Sequence, residues 1–359
     1  MTDLAERVKL LSEIHGPVGW EWRTNEWLKS RWAPMGAHDF ESVPPGSLLA
    51  KVGGTGPRVV LVAHIDEIGF VVKSVTPEGL LTIVPSFPDR NGRAPKRIGL
   101  FVAGQPAVVL GEEGTVDGVF ATVCGHATRY EQWQNGEIRW RDFWVDIGCG
   151  SAEEVRARGV LPGTPVLWNP AARQIGTKLI GKAMDDRAGI AILETVLAEV
   201  DPSALSCELW IASTAMEECN ALGAMALGKA HSFDAAIVLD VGLSSDCPAV
   251  SEEDVPARLG DGAVAVVKDN AAHYDVRLIR RLERCSQAED LPLQRAVYGV
   301  DGSYASDGLR LIAQGIPTAL LAFPTSYTHS PCEMVDTRDL RVVTDLLKAT
   351  VTRWSEFDD

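Results

Sequence analysis

Five short segments carry the side chains that could do chemistry: His64-Ile65-Asp66, the adjacent acids Asp185-Asp186, the pair Glu217-Glu218, Asp240, and His329. Imidazole and carboxylate groups hold divalent metal ions, and a carboxylate beside such ions can act as the base that activates water. Each signal is modest alone. An HxD triplet more often marks a structural histidine, although Asp66 is placed to fix the His64 tautomer. Asp185 or Asp186 could equally be the N-cap of the helix pattern that follows. Adjacent acids such as Glu217-Glu218 repel unless cations neutralise them, yet a solvated acidic loop would read the same way. A histidine before Ser-Pro, as His329 is, more often sits in an ordinary loop. The ordered set His, Asp, Glu-Glu, Asp, His is harder to dismiss, because every member falls at the edge of a strand or helix pattern. His15, His38, His126, His231 and His273 lack that acidic strand-end context and read as structural or surface residues; His126 is the one an inserted domain could bring toward a site.

The elements that must position these residues are legible as buried runs. Arg58–Ala63, Glu208–Ser213, Ala235–Leu239 and Thr318–Phe323 are continuous apolar stretches of strand length, the mark of strands covered on both faces. Helical spacing runs through Leu4–Leu11, Trp20–Trp32, Asp186–Glu199, Tyr274–Ala288, Asp307–Gln314 and Thr337–Trp354. Strand and helix alternating in this way predict a doubly wound α/β sheet. Four of the five candidate segments follow directly on a buried strand, and in open α/β sheets ligands gather outside the carboxyl ends of strands. From Val71 to Pro170 the text changes to short β-type segments punctuated by Gly and Pro, including Leu100–Gly104, with one short helix pattern at Ala152–Arg158. That stretch predicts a small β-barrel or sandwich inserted into the α/β domain.

Composition narrows the class. The chain has 359 residues, and a net charge of −15 argues against nucleic acid as a main partner, since phosphate binding needs a basic face. No apolar run is long enough to cross a bilayer, and Met1–Leu11 is too polar for a secretory leader. Seven cysteines, an odd number with no CxxC pair, fit a reduced cytoplasmic protein better than a disulfide scaffold. Cys219 and Cys332, beside candidate site residues, read as small buried hydrophobes.

The chain resembles the M42 family of metallo-aminopeptidases, the glutamyl and leucyl aminopeptidase group that includes the TET peptidases. The resemblance is carried by GPVGWE near the start, AHIDEIGF, VDIG with ARGVLPG, GKAMDDRAG, EECNALGA, LDVG, LGDG, SDG, and TSYTHSP with the following Glu333. It implies an α/β peptidase domain with a mixed sheet (1–70 and 171–359) and an inserted β-barrel domain (71–170) for oligomerisation or site access. It further implies that His64 and Asp240 bind one divalent ion, Glu218 and His329 a second, and that Asp185 bridges them. Glu217 would be the general base and Asp66 would support His64. The ions would be zinc or cobalt, although these ligands also accept manganese or iron. Implied partners are peptide substrates and further copies of the chain, in a large homo-oligomer such as a tetrahedral dodecamer. Asn220 stands where the family usually has Gly, Ser326 where Arg is frequent, and CGHATRY where a Pro-His pair is frequent. A deacylase of N-acyl amino acids using the same site is the rival enzyme, and a non-catalytic metal-binding assembly protein is the rival outside enzymes. Glycosidase chemistry fits badly, because it uses two carboxylates and no metal.

Overall fold

The computed structural model describes residues 3–88, 102–124, 126, 139–248, 250–299 and 304–357. Two compact units emerge, one formed by residues 1–67, 172–328 and 333–359, the other by 68–171 and 329–332.

The first unit is built on a mixed sheet of eleven strands among the described residues. They are β1 (His38–Val43), β2 (Ser47–Gly53) and β3 (Arg58–His64); the chain then builds the second unit with β4 (Phe70–Val75), β5 (Leu81–Pro85), β6 (Pro106–Gly111), β7 (Gly114–Thr122), β8 (Phe143–Asp146) and β9 (Pro165–Trp168). It returns with β10 (Arg173–Ile175), β11 (Lys178–Gly181), β12 (Glu208–Thr214), β13 (Ala235–Leu243), β14 (Ala263–Lys268), β15 (Leu293–Val297), β16 (Thr318–Ser326) and β17 (Glu333–Asp336). The order is β1-β2-β12-β3-β13-β16-β17-β11-β10, with β14 also pairing β16 and β15 pairing β14. The four central strands β12, β3, β13 and β16 run parallel to one another. They are also the four apolar runs read from sequence, and they are buried almost throughout. Parallel strands buried on both faces need no polar alternation, which is why their sequences are so uniformly apolar.

The helices of this unit are α1 (Leu4–Glu13), α2 (Glu21–Trp32), α4 (Met184–Glu199), α5 (Leu222–Ala230), α6 (Val276–Ala288), α7 (Gly308–Ala313) and α8 (Thr337–Thr352), while α3 (Ala152–Ala157) belongs to the second unit. Helix α4 packs against β3 and β13 and shares their apolar core. No helix among the described residues is long and apolar enough to cross a membrane.

In the second unit six antiparallel strands close into a barrel in the order β4-β5-β8-β7-β6-β9. Its centre is aromatic. Phe70 meets Phe120, Trp140 and Trp168 at ring distances of 5.3 to 5.4 Å, two of the three edge-on, the arrangement that ring quadrupoles favour. The short helix expected after Gly150 is α3, whose Ser151 hydroxyl accepts the Glu154 amide at 3.2 Å. Of the β segment expected at Leu100–Gly104, residues 100 and 101 lie outside the described residues, and Val102–Gly104 is not strand. Within CGHATRY, His126 is exposed, and the flanking Gly125 and 127–130 also lie outside.

Candidate metal centre

The carboxyl ends of β12, β3, β13 and β16 lie side by side, so the segments that follow them are brought to one edge of the sheet. His64 is the last residue of β3. The Met216–Glu218 turn follows β12. Asp240, expected just after its strand, lies inside it, because β13 continues to Leu243. His329 sits in the link between β16 and β17, tied at both ends to strands of the sheet.

Asp185 reaches the same edge from the start of α4. The sequence left Asp185 and Asp186 as equal candidates for an N-cap, and the structure separates them. Both have non-helical backbone angles, and Asp186 Oδ1 accepts the Gly189 amide at 3.1 Å, a capping bond. Asp186 Oδ2 accepts the His64 amide at 3.1 Å. Asp185 Oδ1 lies 2.9 Å from His64 Nε2.

Two sets of ligand atoms result. His64, Asp185 and Asp240 each offer one within 4.8 Å of the others, all three side chains buried; Asp185, Glu218 and His329 form a second such set. Asp185 is the residue common to both. The donors are imidazole and carboxylate throughout, the chemistry that suits zinc, cobalt, manganese or iron. No other such group occurs among the described residues.

Electrostatics fit cations. Burial first, and then Asp185, push Asp240 well above the ordinary carboxylate range. Burial does the same to Asp186 and Glu217, with Asp240 repelling each of them. Burial alone would lower His64, but its bonds to Asp185 and Asp66 outweigh it and raise the imidazole well above its usual value. Buried acids crowded in this way are the setting that a bound dication would reverse.

Asp66 organises the centre. Its backbone carbonyl accepts from His64 Nδ1 at 3.1 Å, which leaves Nε2 as the nitrogen that could meet a metal. Its two carboxylate oxygens accept the amides of Glu217 (3.0 Å) and Glu218 (3.1 Å), fixing the turn that presents both acids. Strain is concentrated here. Among the described residues eight non-glycine residues have positive φ, and Ala183, Met216, Asn220, Ala221, Tyr327 and His329 among them belong to these site segments.

Asn220 is thereby explained. At φ +70 it occupies the left-handed region, where Gly is free and Asn is the best-tolerated side chain. Asn220→Gly is expected to fold with unchanged stability, whereas Asn220→Val should lose about 1–2 kcal/mol, read by urea denaturation. Ser326, a second departure, is a buried strand residue whose hydroxyl lies 2.8 Å from that of Ser244.

Several residues that support the site had no role in the sequence reading. Glu21 Oε1 accepts the Gly19 and Met216 amides at 2.8 and 3.1 Å, and burial with Asp66 nearby pushes it up to about 7. Asp307 takes the Thr214 hydroxyl, and burial pushes it up to about 6. Glu333 Oε2 accepts the Asp185 amide at 3.0 Å. All three lie in quoted motif text, but only three-dimensional placement gives them work. Cys219 and Cys332, expected to be small buried hydrophobes, are half-buried and exposed respectively, and both are free thiols outside the ligand sets. Among the other histidines, His231 reaches Glu41 Oε1 at 3.1 Å and His38 reaches the Gly36 carbonyl at 3.2 Å, the local surface contacts expected of them.

Comparison with known proteins identifies the family. Residues 46–346 match the M42 glutamyl aminopeptidase family. The lysyl aminopeptidase of Pyrococcus furiosus is 26% identical over 87% of this chain and 86% of its own. Among solved structures, a TET aminopeptidase from a marine sediment archaeon of the Thaumarchaeota superposes with a TM-score of 0.89 at 25% identity, covering 98% of this chain and 96% of that one. The TET1 peptidase of Pyrococcus horikoshii, described as assembling into a tetrahedron or a large octahedral shell, gives 0.84 at 25% identity, covering 97% and 99%. The chain belongs to the M42 glutamyl aminopeptidase family and is a metal-dependent aminopeptidase, a hydrolase acting on peptide bonds.

Proposed function

We propose that the centre holds two divalent ions, zinc or cobalt, and removes single residues from the N-terminus of peptides. His64 and Asp240 would hold one ion, Glu218 and His329 the other, and Asp185 both. The observation that carries this reading is that Asp185 alone belongs to both ligand sets, while Asp66 holds Glu217 beside them. The ions would supply Lewis acidity, lowering the pKa of water toward neutrality and polarising the scissile carbonyl. Glu217 takes the proton from the attacking water. As the carbonyl–nitrogen bond breaks, the same carboxyl returns that proton to the leaving amine. Asp66, gripping the Glu217 and Glu218 amides, holds the base and its neighbour in register for both transfers.

The family's name says glutamyl and the Pyrococcus furiosus relative's says lysyl, so no preference for the N-terminal residue is carried over. Self-association into a large homo-oligomer, a tetrahedral dodecamer, is proposed by analogy with the TET1 peptidase, with the barrel unit serving assembly or access. Sedimentation velocity tests it, and a monomeric mass would overturn it. Seven free cysteines support a reducing, cytoplasmic location.

The functional test is amino-acid release from matched peptides with free and N-acetylated termini. Trimming of the free peptides is the expected result. Turnover of the acetylated set alone would make the enzyme a deacylase on the same site.

A further inference from the structure

Glu67, Lys182 and Arg187 form a buried ion cluster that the hydrolytic mechanism does not use; their exposures are 3%, 2% and 0%. Lys182 Nζ donates to Glu67 Oε2 at 2.6 Å, and Arg187 Nη2 to Glu67 Oε1 at 3.4 Å. Both cations also donate to carbonyls at the carboxyl end of α1: Lys182 to Ile14 at 3.2 Å, Arg187 to Leu11 at 3.0 Å and to Ile14 at 3.2 Å. Glu67 exchanges backbone and side-chain bonds with Gly16, each at 3.0 Å. The packing leaves no slack, since a Cβ on Gly16 would lie 2.4 Å from Arg187 Nη2. Gly16→Ala is therefore expected to lower the denaturant midpoint of unfolding.

The placement of these three residues is informative. Glu67 follows Asp66, while Lys182 and Arg187 stand on either side of Asp185. The cluster thus ties the His64–Asp66 segment to the only segment that contributes to both ligand sets. A burial-matched contrast lies on the same helix. Glu194, also fully buried, is held by Arg7 at 2.7 Å and by Arg31 at 2.6 and 2.7 Å, about 10 Å beyond Arg187 along α4 by helical rise.

We propose that Glu67, Lys182 and Arg187 are positioning residues that clamp Asp185 against the His64–Asp66 segment and so set the affinity for both ions at once. This rests on the two-ion reading above. Removing a partner of a buried pair leaves an uncompensated charge that forces the backbone to shift. Since Asp185 serves both ligand sets, such a shift weakens both ions together, whereas loss of His64 or His329 weakens one.

The test compares Glu67→Gln with Glu194→Gln, measuring zinc or cobalt affinity by competition with a chromophoric chelator, alongside the melting temperature of the metal-free proteins. Both variants lose a buried charge partner and both should melt lower. Glu67→Gln should lower affinity at both sites by about 10–100-fold, and Glu194→Gln should leave it within about twofold, as expected for a distant site. Lys182→Met supplies a second reading that separates position from field. It removes a cation, so a purely electrostatic role predicts tighter metal binding, while the clamp predicts binding weaker by about tenfold. Metal affinity unchanged in Glu67→Gln, lost equally in Glu194→Gln, or tightened in Lys182→Met would overturn the clamp. Wild-type protein that took up no ion would overturn the metal reading and the clamp together.

Discussion

Glu217→Gln is expected to leave metal content unchanged and to cut kcat by roughly 10²–10⁴-fold, the range for loss of a general base. Gln keeps the size of the side chain and leaves the backbone amide that Asp66 Oδ1 holds at 3.0 Å, so the turn should stand. It cannot take a proton from water. Glu217 is also outside both ligand sets, which is why its loss should not release an ion. Measuring bound metal and turnover on the same preparation checks both halves. Retained turnover would show that another group is the base, and lost metal would show that Glu217 is a ligand.

Asp185→Ala should have the opposite signature: both ions go, and turnover goes with them. Asp185 is the one side chain shared by the two sets, and its backbone is fixed by the bond from its amide to Glu333 Oε2 at 3.0 Å. Removing its carboxylate therefore takes a ligand from each site without freeing the segment. His64→Ala and His329→Ala, each confined to one set, should lose one ion. Metal counting on the three variants distinguishes a shared ligand from a private one, and Asp185→Ala protein that kept one tightly bound ion would contradict the sharing.

The core of the sheet was legible because its strands are buried on both faces. Val59–Ala63 has no polar interruption, and neither has Ala235–Leu239, so strand and burial were read together. The peripheral strands were not. His38–Val43 is mostly exposed, and its residues HDFESV carry no apolar run to betray it. Helix α5 was missed for a related reason: LGAMALGKA holds two glycines, which lower its intrinsic helix preference, and burial of residues such as Leu227 stabilises it instead. Leu293–Val297 is held by pairing with β14, a long-range partner that local pattern cannot reveal.

The candidate ligand types were legible for a chemical reason, since buried strands that end in acids and histidines are costly without a purpose. What stayed hidden was the support. Glu21 looks like a first-turn helix acid until its carboxylate is seen holding Met216, nearly two hundred residues away in sequence. Asp186 looked interchangeable with Asp185 until their side chains were seen to point to different partners. Backbone conformation was equally invisible, and the left-handed Met216 and His329 became apparent only in three dimensions.

The most direct test is a titration of metal-stripped protein with zinc or cobalt, counting bound ions and released N-terminal residues in the same samples. The account predicts uptake of two ions per chain, with peptide trimming absent before metal is added and complete once both sites are filled. Trimming by the stripped protein, or full activity with a single ion bound, would contradict it.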